Sequence, residues 1–184
     1  MIANRAGRYV SSSVDDAWLT ALDLDPQAWP RTHAAPSANG QRIARRALRP
    51  NLGSPKTARE FTRRTFGAWS LDGLYNDVVV VVSELVTNAL CHGLSDASYS
   101  ALARPVQLVL LARRHRVLAA VVDPSDKTPV LGSTKHFAES GRGLRIIAVM
   151  SDAWGWVPFA TGGKAVWAAF DIPGDIVAKG QTLP

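Results

Sequence analysis

Residues 78–93 read VVVVVSELVTNALCHG, and the fold turns on whether this run is a strand or a helix. Five consecutive valines favour extended backbone, because branched Cβ atoms are stiff and pack well on a pleated surface. The run is nevertheless too long for one strand, which averages about 5–6 residues. Its polar members also recur at helical spacing. With Asp72 as a cap and Gly93 as a stop, the sequence predicts a helix from Asp72 to about Cys91.

Upstream, Ser54-Pro55 suits an N-cap followed by the first helical position, and Ala58, Phe61, Thr65, Phe66 and Trp69 form one apolar stripe. This predicts a helix to about Trp69. Downstream, Val106–Ala112 and Val117–Val122 read as two strands joined by a basic turn, and Asp123-Pro124-Ser125 ends the second. Lys127–Ser140 lacks periodicity and reads as a long loop of the kind that forms lids or binding loops. Gly141 to about Met150 reads as a helix, followed by strands near Ala153–Pro158 and Ala165–Ile172 around Thr161-Gly162-Gly163. The order helix, helix, hairpin, loop, helix, hairpin predicts a two-layer α/β sandwich, with helices on one face of a mixed sheet.

Composition shifts near residue 50. Residues 1–47 read as an arm, partly disordered or extended, with a linker at His33–Gly40 and a short amphipathic stripe of Val14, Trp18 and Leu22. Residues 48–174 form the expected domain, and 175–184 a tail. The chain has 184 residues, 47% hydrophobic and 20% charged, which excludes a wholly disordered, collagen-like or coiled-coil protein. Its net charge of +6 suits acidic partners such as phosphates, and serves solubility equally well. A single cysteine, Cys91, excludes a disulfide framework and a multi-cysteine zinc site; buried packing is its simplest reading. No signal-peptide core is evident at the N-terminus, and the Val78–Val82 run is interrupted by Ser83 and Glu84, so a cytoplasmic location with no membrane association is expected.

Glu84, Asn88 and His92 lie at i, i+4 and i+8, a polar stripe between Leu85, Val86, Ala89 and Leu90. Two readings stand side by side. Polar groups on a largely buried helix need partners, which a ligand or metal provides; alternatively, Glu84 and His92 face solvent at the helix edge and Asn88 bonds a neighbouring backbone. Taken alone, Asp123-Pro124-Ser125 is a common turn sequence and Gly141-Arg142-Gly143 a flexible joint before a helix.

Taken together, SELVTNALCHG, then VVDPSDKTP at a strand end, ESGRGLRII at a helix start and GGKAVW run in order from about Leu48 to Ile172. This set resembles the GHKL ATPase superfamily, and more narrowly the stand-alone anti-sigma-factor serine kinases. The resemblance implies a histidine kinase-like ATPase fold binding ATP and Mg²⁺. It implies that Asn88 helps to hold Mg²⁺, and that Glu84 acts as general base on an attacking hydroxyl. Asp123 is implied to accept a hydrogen bond from the adenine amino group, with Ser125 supporting it through its hydroxyl or water. An acceptor-only carboxylate distinguishes adenine from guanine, which offers a carbonyl there. Gly141, Arg142, Gly143 and Leu144 are implied to present backbone N–H groups to phosphates at a helix start. Lys164, beside Thr161 and Gly163, either meets phosphate or, on the simpler reading, is a solvated hairpin lysine. His92 is expected to pack or to position the loop after Gly93. The chain departs from the histidine kinases, with Asp123-Pro124-Ser125-Asp126 where they carry DxGxG and no recognisable dimerisation helix bearing a phosphorylatable histidine.

The function expected is therefore that of a protein serine/threonine kinase of the anti-sigma type, which phosphorylates an antagonist protein of the anti-anti-sigma kind and sequesters a sigma factor; homodimers are common in that family. The alternative is a catalytically weak, nucleotide-dependent protein-binding module. Arg42, Arg45, Arg46, Arg49, Lys56, Arg59, Arg63 and Arg64 cluster as nucleic-acid-binding residues do, but without interleaved aromatics, so direct nucleic-acid binding is disfavoured.

Overall fold

The computed structural model describes residues 2–4, 9–10, 41–93, 105–113, 115–130, 142–159 and 162–174. In chain order these form β1 (Ile2–Asn4), β2 (Tyr9–Val10), β3 (Arg42–Leu48), α1 (Ser54–Ala68), a 3₁₀ turn (Asp72–Leu74) and α2 (Tyr75–Asn88), which ends in a π turn (Ala89–Gly93). Then follow β4 (Val106–Arg113), β5 (Arg116–Asp123), α3 (Arg142–Met150), β6 (Ala153–Pro158) and β7 (Lys164–Asp171). The amphipathic stripe around Trp18, the His33–Gly40 linker, Gly141, Thr161, most of the Lys127–Ser140 loop and the 175–184 tail lie outside the described residues.

The valine run is helical, as its length and spacing predict. Val78, Val81, Val82, Leu85 and Val86 form one buried face, each no more than 1% exposed. Asp72–His92 is long and apolar enough to cross a membrane by length and composition alone, but this face is packed into the core. Helix α1 packs beside α2 through Ala58, Thr62, Thr65 and Phe66, with Phe61 and Trp69 at the margin. Gly53, not Ser54, is its N-cap; Ser54 is the first helical residue and its hydroxyl donates to the Arg49 carbonyl, closing the turn from β3. Ser70, at φ 56°, takes the left-handed position after the helix, and the Leu71 N–H returns to the Phe66 carbonyl.

The strands form one seven-stranded sheet in the order β2-β1-β6-β7-β5-β4-β3. Helices and sheet make the two layers expected, but every described pairing is antiparallel, where a mixed sheet was expected. The reason is topological. The crossover from β5 through α3 to β6 skips one position, and β7 fills the gap, so the two strands that run in the same direction are not neighbours. Strand β3 pairs with β4 from Arg42 through Leu48, so the sheet includes residues that composition assigned to the arm.

Strand alternation sorts the core into two faces. Leu108, Leu110, Ala112, Val117, Ala119, Val121, Ala168 and Phe170 join the helices in the main core, while Val109, Leu111, Leu118, Ala120, Trp167 and Ala169 form a second cluster. The same alternation gives Asp123, two residues beyond Val121, and Lys164, two before Val166, to the helix side. The register then sets Val121 opposite Val166 and Asp123 opposite Lys164.

Candidate functional site

A cavity of about 350 Å³ opens between the helices and the end of the sheet. Leu85, Asn88, Ala89 and His92 line it from α2 and its π turn, Val121 and Asp123 from β5, Lys164 and Val166 from β7, and Leu144 from α3. Lys127, Thr128, Pro129 and Val130, the described start of the long loop, complete it. Its walls are mostly apolar with a few charged groups at the base, as ligand pockets usually are.

Those charged groups form a closed network. Lys164 Nζ donates to Asp123 Oδ1 at 2.8 Å and to the Ser125 carbonyl at 3.0 Å, and the Ser125 N–H donates to the same Asp123 oxygen at 2.9 Å. Both side chains are withdrawn from water, Lys164 being 8% and Asp123 3% exposed. This corrects the reading of Lys164 as a solvated hairpin lysine. Two glycines at φ 85°, Gly162 and Gly163, fold the hairpin back. A Cβ at Gly163 would lie 2.6 Å from the Asp123 carbonyl oxygen, so no other residue permits this approach without displacing β5. Asp126, which the sequence did not single out, accepts the Gly163 N–H at 2.6 Å and ties the turn after β5 to the same hairpin. Ser125 supports Asp123 through its backbone N–H, where hydroxyl or water contacts were expected; its hydroxyl accepts from the Lys127 N–H at 3.1 Å. Burial pushes the Asp123 carboxyl above the usual carboxylate range and Asp126 adds to this, whereas the Lys164 ammonium and the Ser125 N–H pull it back; burial prevails.

The second polar group lies on the helices. Glu84 and Asn88 are half-buried one turn apart on α2, and α3 sets its first turn directly over them. A Cβ at Gly143 would lie 2.8 and 2.9 Å from the Asn88 amide atoms and 2.9 Å from Glu84 Oε2. Gly143 is thus needed for packing against Glu84 and Asn88, a role distinct from the expected approach to phosphate. Asn88 Nδ2 is buried with no hydrogen-bond partner among the described residues, so an acceptor from a ligand would complete it. Glu84 does not itself line the cavity, Arg142 is exposed, and Leu144 contributes an apolar wall. His92 and Cys91 are both exposed, His92 at the cavity rim. Buried packing for Cys91 is therefore corrected: Cys91 lies one helical turn beyond Thr87, which is also exposed, on the side of the helix away from its buried face.

The residues fit a nucleotide with Mg²⁺ in their donor chemistry. No cluster of three or more His, Cys, Asp or Glu occurs among the described residues; Mg²⁺ commonly takes only one or two protein oxygens, with waters and phosphates filling its shell, and an amide oxygen such as that of Asn88 is of the chemical kind it accepts. The apolar walls missed by sequence reasoning, Leu85 and Ala89, each follow a residue of the polar stripe by one position, which was the available signal.

Basic residues of β3 and α1 are partly engaged within the fold. Arg42 donates to the Trp69 carbonyl at 2.8 Å with its guanidinium 5.5 Å from that ring's centre, and Arg64 pairs with Glu60 at 2.6 Å.

Helices on one face of an antiparallel sheet, with a mostly apolar cavity over the strand ends, make this a two-layer α/β protein with a ligand-sized site among its described residues. No protein-family model matches the chain, nor does any curated protein. Among solved structures it is similar to the RsbU and RsbW domains of Rv1364c from Mycobacterium tuberculosis, at 17% identity and a TM-score of 0.48. That similarity covers 71% of this chain and 32% of the other, about a third of its length.

Proposed function

We propose that the cavity binds ATP with Mg²⁺ and that the protein is a regulatory serine/threonine kinase of the anti-sigma type, acting on a serine of an antagonist protein and holding a sigma factor. The observation that carries this reading is the pairing of two polar groups around one cavity: a buried carboxylate at its floor, and Asn88 beside Glu84 under the first turn of α3. The motifs that suggested a nucleotide site in the sequence thus supply residues to one place.

In this reading Leu85, Val121, Leu144 and Val166 enclose the base, and Asp123 orients it by accepting a hydrogen bond. A volume of about 350 Å³ lies at the low end for ligand sites, roughly 300–1,000 Å³, so the phosphates lie towards the mouth. There Asn88 would hold Mg²⁺ through its amide oxygen, and Glu84 would take the proton of an attacking serine hydroxyl. Bound Mg·ATP would supply the phosphoryl group and the cation that offsets its charge. Positioning and charge stabilisation account for most of such a transfer, which suits so small a set of residues.

A second reading, a nucleotide-dependent binding module with little turnover, draws on Glu84, whose carboxylate lies against Gly143 and outside the cavity lining. Calorimetric titration with ADP and a nonhydrolysable ATP analogue, with and without Mg²⁺, tests the site. Binding by the wild type, and its loss in Asp123→Asn and Asn88→Ala, is expected; no binding by folded wild type overturns both readings. Transfer of phosphate to a serine-bearing antagonist that disappears in Glu84→Gln separates the kinase from the module.

A further inference from the structure

We infer that the chain covers the second face of its own sheet with residues 11–40, seating the Val14, Trp18 and Leu22 stripe on the apolar cluster there. The inference concerns a part of the molecule away from the cavity and does not depend on the nucleotide-binding reading.

A sheet with helices on one face leaves the other face to water unless something packs on it. Here α1, α2 and α3 occupy one face, together with the cavity. The other carries Val109, Leu111, Leu118, Ala120, Trp167 and Ala169, none more than 3% exposed. Among the described residues only strands contribute to this cluster, with Ile43 of β3 and Ala153 of β6 packed against it. Neighbours on one sheet face do not shield each other from above, so burial this complete requires a further layer. Trp167 gives a second sign. Its indole N–H is buried with no hydrogen-bond partner among the described residues, and a buried donor requires an acceptor.

Topology points to the segment that supplies the layer. Strands β2 and β3 lie at opposite edges of the sheet and are consecutive in the chain, so the residues between them must pass from one edge to the other. Six strand spacings of about 4.8 Å separate these edges by about 29 Å. About 30 residues suffice, since 20 in a helix already span about 30 Å. On the helix side the connection would have to pass over a layer already about 10 Å thick. On the second face the path is direct: one row of paired residues runs from Val10 through Gly155, Trp167, Ala120 and Val109 to Arg45, across the cluster. Two other stretches outside the described residues join elements of the helix side. Residues 94–104 run from the π turn to Val106, and 131–141 from the cavity to α3.

The chemistry of the segment matches the face. Val14, Trp18 and Leu22, at i, i+4 and i+8, supply one apolar stripe. Between Ser13 and Asp25 the chain has four acids, Asp15, Asp16, Asp23 and Asp25, and no Lys or Arg. By strand alternation the second face carries Arg45 and Arg113, both half-buried, so the charges are complementary. The same acids are candidate acceptors for the Trp167 indole. A face covered in this way is closed to a second copy of the chain.

The test is nuclear magnetic resonance on the full chain labelled with ¹³C and ¹⁵N, with light scattering for the mass. Nuclear Overhauser contacts are expected from the Trp18 ring and the Leu22 methyls to the methyls of Leu111 and Leu118, within a monomer. A mixture of labelled and unlabelled chains separates contacts within one copy from contacts between two. Trp18→Ser is expected to lower Tm by at least about 5 °C; should it not fold, Leu22→Ala is expected to lower Tm by at least about 4 °C. A change within about 2 °C places the stripe in solvent and overturns the inference. Contacts from Leu111 and Leu118 to residues 175–184 overturn it as well. Contacts between copies also overturn it, and make the face a dimer interface.

Discussion

The floor and the helical side of the cavity are built on different principles. At the floor, strand register brings together two charges 41 positions apart, and backbone groups of Ser125 and Gly163 hold the surrounding turns. On the helical side, an i, i+4 repeat brings Glu84 and Asn88 together locally, and Asn88 Nδ2 has no partner among the described residues. At the floor the two charges neutralise each other, so that removing either one would leave the other buried and unpaired. The helical side gives less to stability and has more capacity left for a ligand.

The contrast is sharpest at Lys164. Lys164→Met leaves a buried carboxylate without its cation, and unfolding in urea at pH 7 is expected to show a loss of about 3–5 kcal/mol. The sign with pH follows from burial. A carboxyl held above the usual value of about 3.9 contributes stability that is present below that value and is lost as pH rises through its folded pKa. Removing the ammonium lifts Asp123 further, so the deficit of the variant is greatest near neutrality and shrinks in acid as Asp123 takes up a proton. Asp126 and Lys127 on the adjoining turn and His92 at the rim are the other titratable groups around this cavity. A deficit that does not change with pH would show that Lys164 contributes packing rather than charge.

A smaller effect is expected at Gly143, where the two regions differ in the space they leave. Gly143→Ala drives a methyl into Asn88 and Glu84, at 2.8–2.9 Å, and should cost about 1–3 kcal/mol as α3 is displaced. Thermal unfolding together with nucleotide titration checks it, with both expected to suffer. Smallest in stability is Asn88→Ala, which removes a donor that has no partner among the described residues. Its unfolding free energy should stay within about 1 kcal/mol of wild type while Mg²⁺-dependent nucleotide binding is lost. A large stability loss would mean that Asn88 is a structural residue, and the helical side would then resemble the floor.

Sequence periodicity located α1, α2, β4 and β5 because each has a long apolar stripe. It missed β3, RIARRAL, since Arg42, Arg45 and Arg46 are tolerated on an edge strand and break up its apolar pattern. The polar stripe of α2 was legible because i, i+4 contacts are local. The burial of Lys164 was not, because a lysine after two glycines reads as a hairpin tip, and only the β5–β7 register reveals its partner. Exposure of Cys91 was legible in the spacing, because Cys91 follows the exposed Thr87 by four residues and lies off the buried stripe of α2.

The pairing of Ile2–Asn4 with Ala153–Gly155 sets an order on synthesis. Strands β1 and β2 can pair with each other at once, but β6, which joins them to the rest of the sheet, is made about 150 residues later, roughly ten seconds or more at ordinary elongation rates. Meanwhile β3, β4 and β5 can already pair in sequence, so the growing chain assembles one edge of the sheet first and adds the β1–β2 pair at the other edge last.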